Sequence, residues 1–121
     1  MRTKKTMVIG ASLKPERYSN IAIKRLKQQE HEIIALGLRS GEVAGIPITT
    51  DRPQIDQLDT ITLYLNPKRQ EEYEAYILGL KPKRVIFNPG TENPAFARKL
   101  ESAGIQTEQA CTLVLLSTGQ Y

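Results

Sequence analysis

The sequence predicts one α/β domain with a doubly wound, mostly parallel sheet that carries helices on both faces. Two observations support this prediction. The chain has 121 residues, which is the length of one domain with a single hydrophobic core. Short apolar runs alternate with longer amphipathic segments along the chain. This alternation is typical of a parallel sheet, because each helix carries the chain back to the same end of the sheet.

A glycine-containing turn separates the first strand from the first helix. Thr6–Ile9 is rich in residues that favour strands, and Gly10 ends it. Asn20–Gln29 has the apolar spacing of an amphipathic helix. We expect Ser19 or Asn20 to cap this helix, because each side chain has an oxygen that can accept a hydrogen bond from a backbone N–H.

The middle of the chain supplies two further clear strands, His31–Leu36 and Thr60–Leu65. The segment between them is rich in Gly and Pro, which indicates turns. Ile46–Thr49 is predicted to be at most a short edge strand, because Pro47 has no N–H to donate to a ladder.

The last part of the chain continues the alternation. Pro67 can occupy the first turn of a helix, where its missing N–H costs no hydrogen bond. The predicted elements are a helix at Lys68–Leu80, a strand at Lys83–Phe87, a helix at Ala95–Ala103, a strand at Ile105–Glu108 and an apolar terminal segment at Ala110–Leu116. This order of elements predicts a Rossmann-like architecture over residues 1–121.

Composition argues against several classes of protein. No apolar run approaches the roughly 20 residues that cross a bilayer, which argues against a membrane protein. The apolar run after the basic N-terminus is too short for a signal peptide, so we expect a cytoplasmic protein. The net charge of +4 is scattered, which gives little support to nucleic-acid binding. A single cysteine excludes an internal disulfide and a multi-cysteine metal site.

The predicted sheet brings four unusual loops to one edge. In a doubly wound sheet, ligands bind beyond the carboxyl ends of the strands, where the strand order reverses. Helix N-termini converge there and favour phosphate groups. The loops are Gly10–Asn20, Gly37–Arg39, Asn66–Lys68 and Asn88–Asn93, and their cations available to phosphates include Lys14, Arg17, Arg39 and Lys68.

The first two of these loops argue against NAD as the ligand. A dinucleotide fingerprint has three glycines in the first turn and an acidic residue after the second strand. Here the turn after Gly10 lacks the second and third glycines, and Arg39 stands near the position of the acid. A nucleotide with an extra ribose phosphate therefore remains open, which means NADP or coenzyme A (CoA).

A series of motifs resembles the small CoA-binding domain family, single-domain proteins similar to the CoA-binding domain of succinyl-CoA synthetase. The motifs are Val8–Ser12, Lys14-Pro15, Tyr18–Asn20, Leu63–Pro67, Val85–Gly90 and Ala110–Thr112. Their order covers nearly the whole chain. The sequence departs from the family pattern at Gly37–Arg39, where many members carry Asn-Pro, and at Asn88–Gly90, where many carry Gln or a related polar residue.

The resemblance implies binding of CoA or an acyl-CoA and assigns residues to it. The pyrophosphate would lie against Gly10, Ala11 and Ser12, in a loop also lined by Lys14, Arg17, Tyr18, Ser19 and Asn20. Arg39, beside Gly37 and Leu38, would face the ribose 3′-phosphate. Leu65, Asn66 and Pro67, beside Lys68, would flank the adenine or the pantetheine, and Asn88, Pro89, Gly90 and Asn93 would close the pocket.

No catalytic set can be assembled from the sequence. His31 is expected to be a solvated residue at a helix end, away from these loops. Cys111 has the surroundings of a small buried hydrophobe, and a mixed disulfide between it and CoA is a hypothesis. The sequence therefore favours a CoA-binding module without chemistry of its own. The alternatives are an NADP- or nucleotide-dependent enzyme and an interaction subunit with a vestigial pocket; the oligomeric state and protein partners stay open.

Overall fold

Seven strands form one sheet in the computed structural model, which describes residues 3–121. The strands are β1 (Thr6–Ala11), β2 (Ile33–Gly37), β3 (Gly41–Val43), β4 (Ile46–Thr49), β5 (Thr60–Leu63), β6 (Arg84–Phe87) and β7 (Gln106–Gln109). Their order is β3-β4-β2-β1-β5-β6-β7, and all neighbours are parallel except β3 and β4. The strand order reverses between β1 and β5, which confirms the doubly wound prediction.

Helices cover both faces of this sheet. They are α1 (Tyr18–Gln28), α2 (Pro67–Gln70), α3 (Glu74–Leu80), α4 (Pro94–Ser102) and α5 (Thr112–Ser117). The side chains of β1 alternate between the two cores: Met7 and Ile9 pack in the cluster that contains α3 and α4, and Val8 packs in the cluster that contains α1 and α5. The strong burial of both faces explains why most residues of the central strands are apolar.

The prediction that Ile46–Thr49 lies at a sheet edge was wrong. β4 lies between β2 and β3, and β3 forms the edge. A two-residue turn at Ala44 and Gly45, with φ of 52° and 83°, folds β3 back onto β4 as a hairpin. Pro47 is tolerated because the parallel ladder to β2 starts at Ile48, one residue later.

Two predictions about helices also need correction. The helix α1 begins at Tyr18 and has Arg17 as its N-cap, without a side-chain cap from Ser19 or Asn20. The segment predicted as one helix, Lys68–Leu80, is divided into α2 and α3 by a 3-10 turn at Glu71–Tyr73. Other predicted elements differ from the observed bounds by one or two residues, and the apolar terminal segment contains α5.

His31 is buried, not solvated as the sequence predicted. Its side chain lies below the amino edge of the sheet, where its ring meets the Tyr121 ring edge-on at 5.0 Å between centroids. The backbone N–H of Lys4 donates to His31 Nδ1 at 2.9 Å. Lys4, before β1, and Tyr121, at the end of the chain, thus cover His31, although the polar residues around it in the sequence predicted that it is exposed. No helix among residues 3–121 is long and apolar enough to cross a membrane.

Candidate functional site

Gly10 shapes the point where the strand order reverses. Its φ is 94°, and the β1–β2 register shifts between Ile9 and Ala11. A Cβ on Gly10 would lie 3.0 Å from both the carbonyl carbon and the carbonyl oxygen of Tyr64, at the end of β5. The Tyr64 N–H donates to Ile9 O at 2.9 Å, so the backbones are held in close contact. Only glycine fits this conformation without strain.

A cavity of about 600 Å³ opens at this carboxyl edge of the sheet. Most of the residues that the sequence assigned to a site line it together. They are Gly10, Ala11, Ser12, Lys14, Arg17, Tyr18, Ser19, Gly37, Leu38, Arg39, Leu65, Asn66, Pro89 and Gly90. The parallel sheet therefore brings all four predicted loops to one cavity.

Five assigned residues do not line this cavity. Pro67, Lys68 and Asn93 lie beside a shallower depression between α2 and α4. Asn20 is buried, and its Nδ2 donates to Ser12 O at 2.9 Å, which supports the first loop from below. Asn88 is also buried, at the end of β6.

Asn88 ties three elements together. Its Nδ2 donates to Thr62 Oγ1 at 2.7 Å and to Leu63 O at 2.8 Å, both on β5. Its Oδ1 accepts from the N–H of Thr112, at the start of α5, at 2.9 Å. The next turn is closed by a hydrogen bond from Thr91 N to Asn88 O, with Gly90 at φ 92° as a type II turn requires. Asn88 thus holds the Asn88–Asn93 loop in place.

Sequence reasoning missed five lining residues: Leu13, Tyr64, Arg69, Tyr73 and Thr91. The helical period could have indicated two of them. Asn66 caps α2 by accepting from Arg69 N at 2.9 Å, so Asn66, Arg69 and Tyr73 follow at three and then four positions along one face. Lys68, one position away, points to another side of the same turn.

The lining of the cavity is positively charged. It contains four cations, Lys14, Arg17, Arg39 and Arg69, and no Asp or Glu. None of the four forms an ion pair with another residue of 3–121. The N-terminus of α1 also opens onto the cavity without a side-chain cap or an acidic residue in its first turn, so its positive dipole end is uncompensated.

Titratable and nucleophilic groups near this edge are few. Burial raises the pKa of the Tyr64 phenol to about 12, although the hydroxyls of Thr112 and Thr62 lower it in part, so this phenol stays protonated. Cys111 is half-buried at the N-cap of α5 and does not line the cavity. Within residues 3–121, no group of three or more His, Cys, Asp or Glu side chains could hold a metal ion. The arrangement offers anion binding and no evident acid–base pair.

Comparisons with known proteins agree with this fold. The crystal structure of an uncharacterized protein covers all of both chains at 48% identity, with a TM-score of 0.97. A hypothetical protein from Pyrococcus horikoshii OT3 is 28% identical over 97% of this chain and 84% of its own, with a TM-score of 0.86. A structure from Thermus thermophilus, 20% identical over 98% of this chain and 91% of its own, shares the fold with a TM-score of 0.83.

A search of curated proteins found no match. The model of a family described as a CoA binding domain, however, matches residues 4–117, which is nearly the whole chain. The matched range contains all four loops of the cavity. The chain belongs to the CoA binding domain family.

Proposed function

We propose that this protein binds CoA in the cavity at the carboxyl edge of its sheet and catalyses no reaction of its own. The observation that carries the proposal is the charge of the lining: four cations and no carboxylate. CoA brings a ribose 3′-phosphate of about −2 charge and a pyrophosphate, so the ligand's charge complements that of the cavity. Family membership supports the same ligand.

The pyrophosphate fits best at the β1–α1 loop. Gly10 brings the backbone of this loop close to the cavity, and the uncapped N-terminus of α1 begins at Tyr18. Backbone N–H groups and the helix dipole favour an anion at such a position. Lys14 and Arg17 add two charges from the same loop.

Arg39 is the candidate contact for the 3′-phosphate. It lines the cavity from the loop after β2 and has no ion pair within residues 3–121. In this fold an acidic residue near this place would select the 2′-hydroxyl of NAD, whereas a guanidinium favours a phosphorylated ribose.

We also propose that the protein is located in the cytoplasm.

Calorimetric titration with CoA, dephospho-CoA, NADP and NAD tests the proposal. We expect CoA to bind best, and both loss of the 3′-phosphate and Arg39→Ala to weaken binding by about 1–3 kcal/mol. Dephospho-CoA should bind Arg39→Ala and the wild type equally. Arg98→Ala is the matched control, because Arg98 is exposed on α4 and does not line the cavity.

Two other outcomes would replace the proposal. Binding of NADP without CoA would favour a nucleotide-dependent enzyme, which the position of Arg39 also permits. No binding of any of the four ligands would favour an interaction subunit with a vestigial pocket.

A further inference from the structure

Gln70 is a fully buried amide at the end of α2 that bonds two different loops. Its Nε2 donates to Leu65 O and to Thr91 O, each at 2.8 Å. Its Oε1 accepts from Asn93 Nδ2 at 3.0 Å. Both hydrogens of Nε2 and one of the two lone pairs of Oε1 therefore form hydrogen bonds within the protein.

The backbone partners of Gln70 lie on two neighbouring loops that both line the cavity. Leu65 lies between β5 and α2, and Thr91 lies between β6 and α4; both residues line the cavity. The helix α2 has four residues and continues through the 3-10 turn into α3. The Asn66 cap holds its start, and the hydrogen bonds of Gln70 tie its end to the Leu65 and Thr91 backbones.

Charge is distributed unevenly between the two halves of the cavity. Three of its four cations, Lys14, Arg17 and Arg39, lie on the loops after β1 and β2. The loops after β5 and β6 contribute Arg69 and otherwise uncharged residues, among them Leu65, Pro89 and Thr91. The phosphates of a CoA ligand belong to the first half, and its uncharged arm fits the second.

We propose that Gln70 is a positioning residue: it fixes the separation of the β5–α2 and β6–α4 loops so that the slot between them receives the pantetheine arm of CoA. This inference rests on the proposed function. Gln70 itself does not line the cavity, so it acts through the Leu65 and Thr91 backbones. A small displacement of either loop would change the fit of a narrow arm more than that of the distant phosphates.

The test compares two ligands on matched variants. Gln70→Met keeps the length of the side chain but removes its three hydrogen bonds. Gln29→Met is the control. Gln29 also donates from its side-chain amide to a backbone carbonyl, Leu116 O at 3.1 Å, but it lies at the C-terminal end of α1, whereas the N-terminal end of α1 faces the cavity. The ligands are CoA and adenosine 3′-phosphate 5′-diphosphate, which is CoA without its arm.

We expect Gln70→Met to lose roughly tenfold in affinity for CoA, the equivalent of about one buried hydrogen bond, and to bind the armless ligand like the wild type. Gln29→Met should bind both ligands like the wild type. Equal losses for the two ligands, or no loss for a folded Gln70→Met, would overturn the role of Gln70. Failure of the wild type to bind either ligand would overturn the proposed function instead.

A second variant keeps the test decisive if Gln70→Met does not fold. In Gln70→Glu a buried carboxylate would face two carbonyl oxygens, and burial would raise its pKa. Lowering the pH should protonate this carboxylate and restore one hydrogen-bond donor. The CoA affinity of Gln70→Glu, measured relative to that of the wild type at the same pH, should therefore rise as the pH falls. The armless ligand should show no such recovery. A Gln70→Glu protein whose CoA affinity parallels that of the wild type at every pH would overturn the inference.

Discussion

The two edges of the sheet treat charge in opposite ways. At the carboxyl edge, four cations surround a cavity without ion-pair partners among residues 3–121. At the amino edge, the buried Arg84 donates from Nη1 to Glu108 Oε2 at 3.2 Å and from Nε to Thr60 Oγ1 at 3.1 Å. Its guanidinium also lies 4.6 Å from the centroid of the Tyr121 ring.

We interpret this difference as a division between residues that stabilise the fold and residues that are available to a ligand. Paired groups at the amino edge lock the starts of β5 and β6 to the end of the chain. The four cations at the carboxyl edge carry like charge, which should weakly disfavour the empty protein, because solvent screens the repulsion between exposed charges. An anionic ligand would reverse that cost and stabilise the folded state by mass action. Substitutions at the two edges should therefore have different effects on stability and on binding.

The largest expected effect is at the carboxyl edge, from Gly10→Ala. The positive φ costs about 1–2 kcal/mol for a residue with a Cβ. Contact at 3.0 Å with the Tyr64 backbone adds about 1–3 kcal/mol. Urea unfolding should show both losses, and calorimetry should show weaker CoA binding. Gly104→Ala is the control. The φ of Gly104 is 82°, but a Cβ there would meet no atom within 4 Å. This variant should therefore lose only the stability that the positive φ costs. Equal losses would disprove the close-contact argument.

The second prediction concerns Arg84→Met at the amino edge. The change removes a largely buried ion pair and a hydrogen bond, and it should lower the free energy of unfolding by about 2–3 kcal/mol. CoA affinity should not change, because Arg84 starts β6 at the edge opposite the cavity. Arg98 is exposed and forms no ion pair with another residue of 3–121, so Arg98→Met should leave the free energy of unfolding unchanged. A loss of CoA affinity in folded Arg84→Met would show that the two edges are coupled.

Local sequence patterns predicted the cavity better than the amino edge. The carboxyl ends of parallel strands lie at one edge of the sheet. Predicting the strands therefore also predicted where the loops that contain Gly10, Arg39 and Asn66 lie. Which side chain of a short helix faces inward depends on its cap, and for that reason Arg69 was missed in favour of Lys68.

Long-range contacts explain the errors elsewhere. The position of β4 depends on a hairpin whose turn has Ala44 at positive φ, a residue type without a clear turn signal. The burial of His31 depends on Tyr121, which is 90 positions away in a sequence of 121 residues. Neither contact appears in the periodicity of a short segment.

The smallest expected effect is the pH dependence of stability caused by His31. Burial lowers the pKa of His31 below its usual 6.5, and the nearby charges of Lys4 and Arg84 lower it further, whereas the charge of Asp59 opposes this shift in part. The unfolded chain therefore binds this proton more readily than the folded protein. The contribution to stability is complete above pH 6.5 and is lost as the pH falls through the lower pKa of the folded state.

Urea unfolding of the wild type and of His31→Asn across this pH range measures the effect. Asn can still accept the Lys4 N–H hydrogen bond but does not titrate in this range. We expect the wild type to lose less than about 1 kcal/mol relative to His31→Asn as the pH falls below 6.5. Since His31 is the one histidine of the chain, the difference between the two curves isolates it from the carboxylates. Parallel curves would show that His31 binds a proton equally well in the folded and unfolded states. The amino edge would then stabilise the protein through Arg84 and its partners without a contribution from His31 titration.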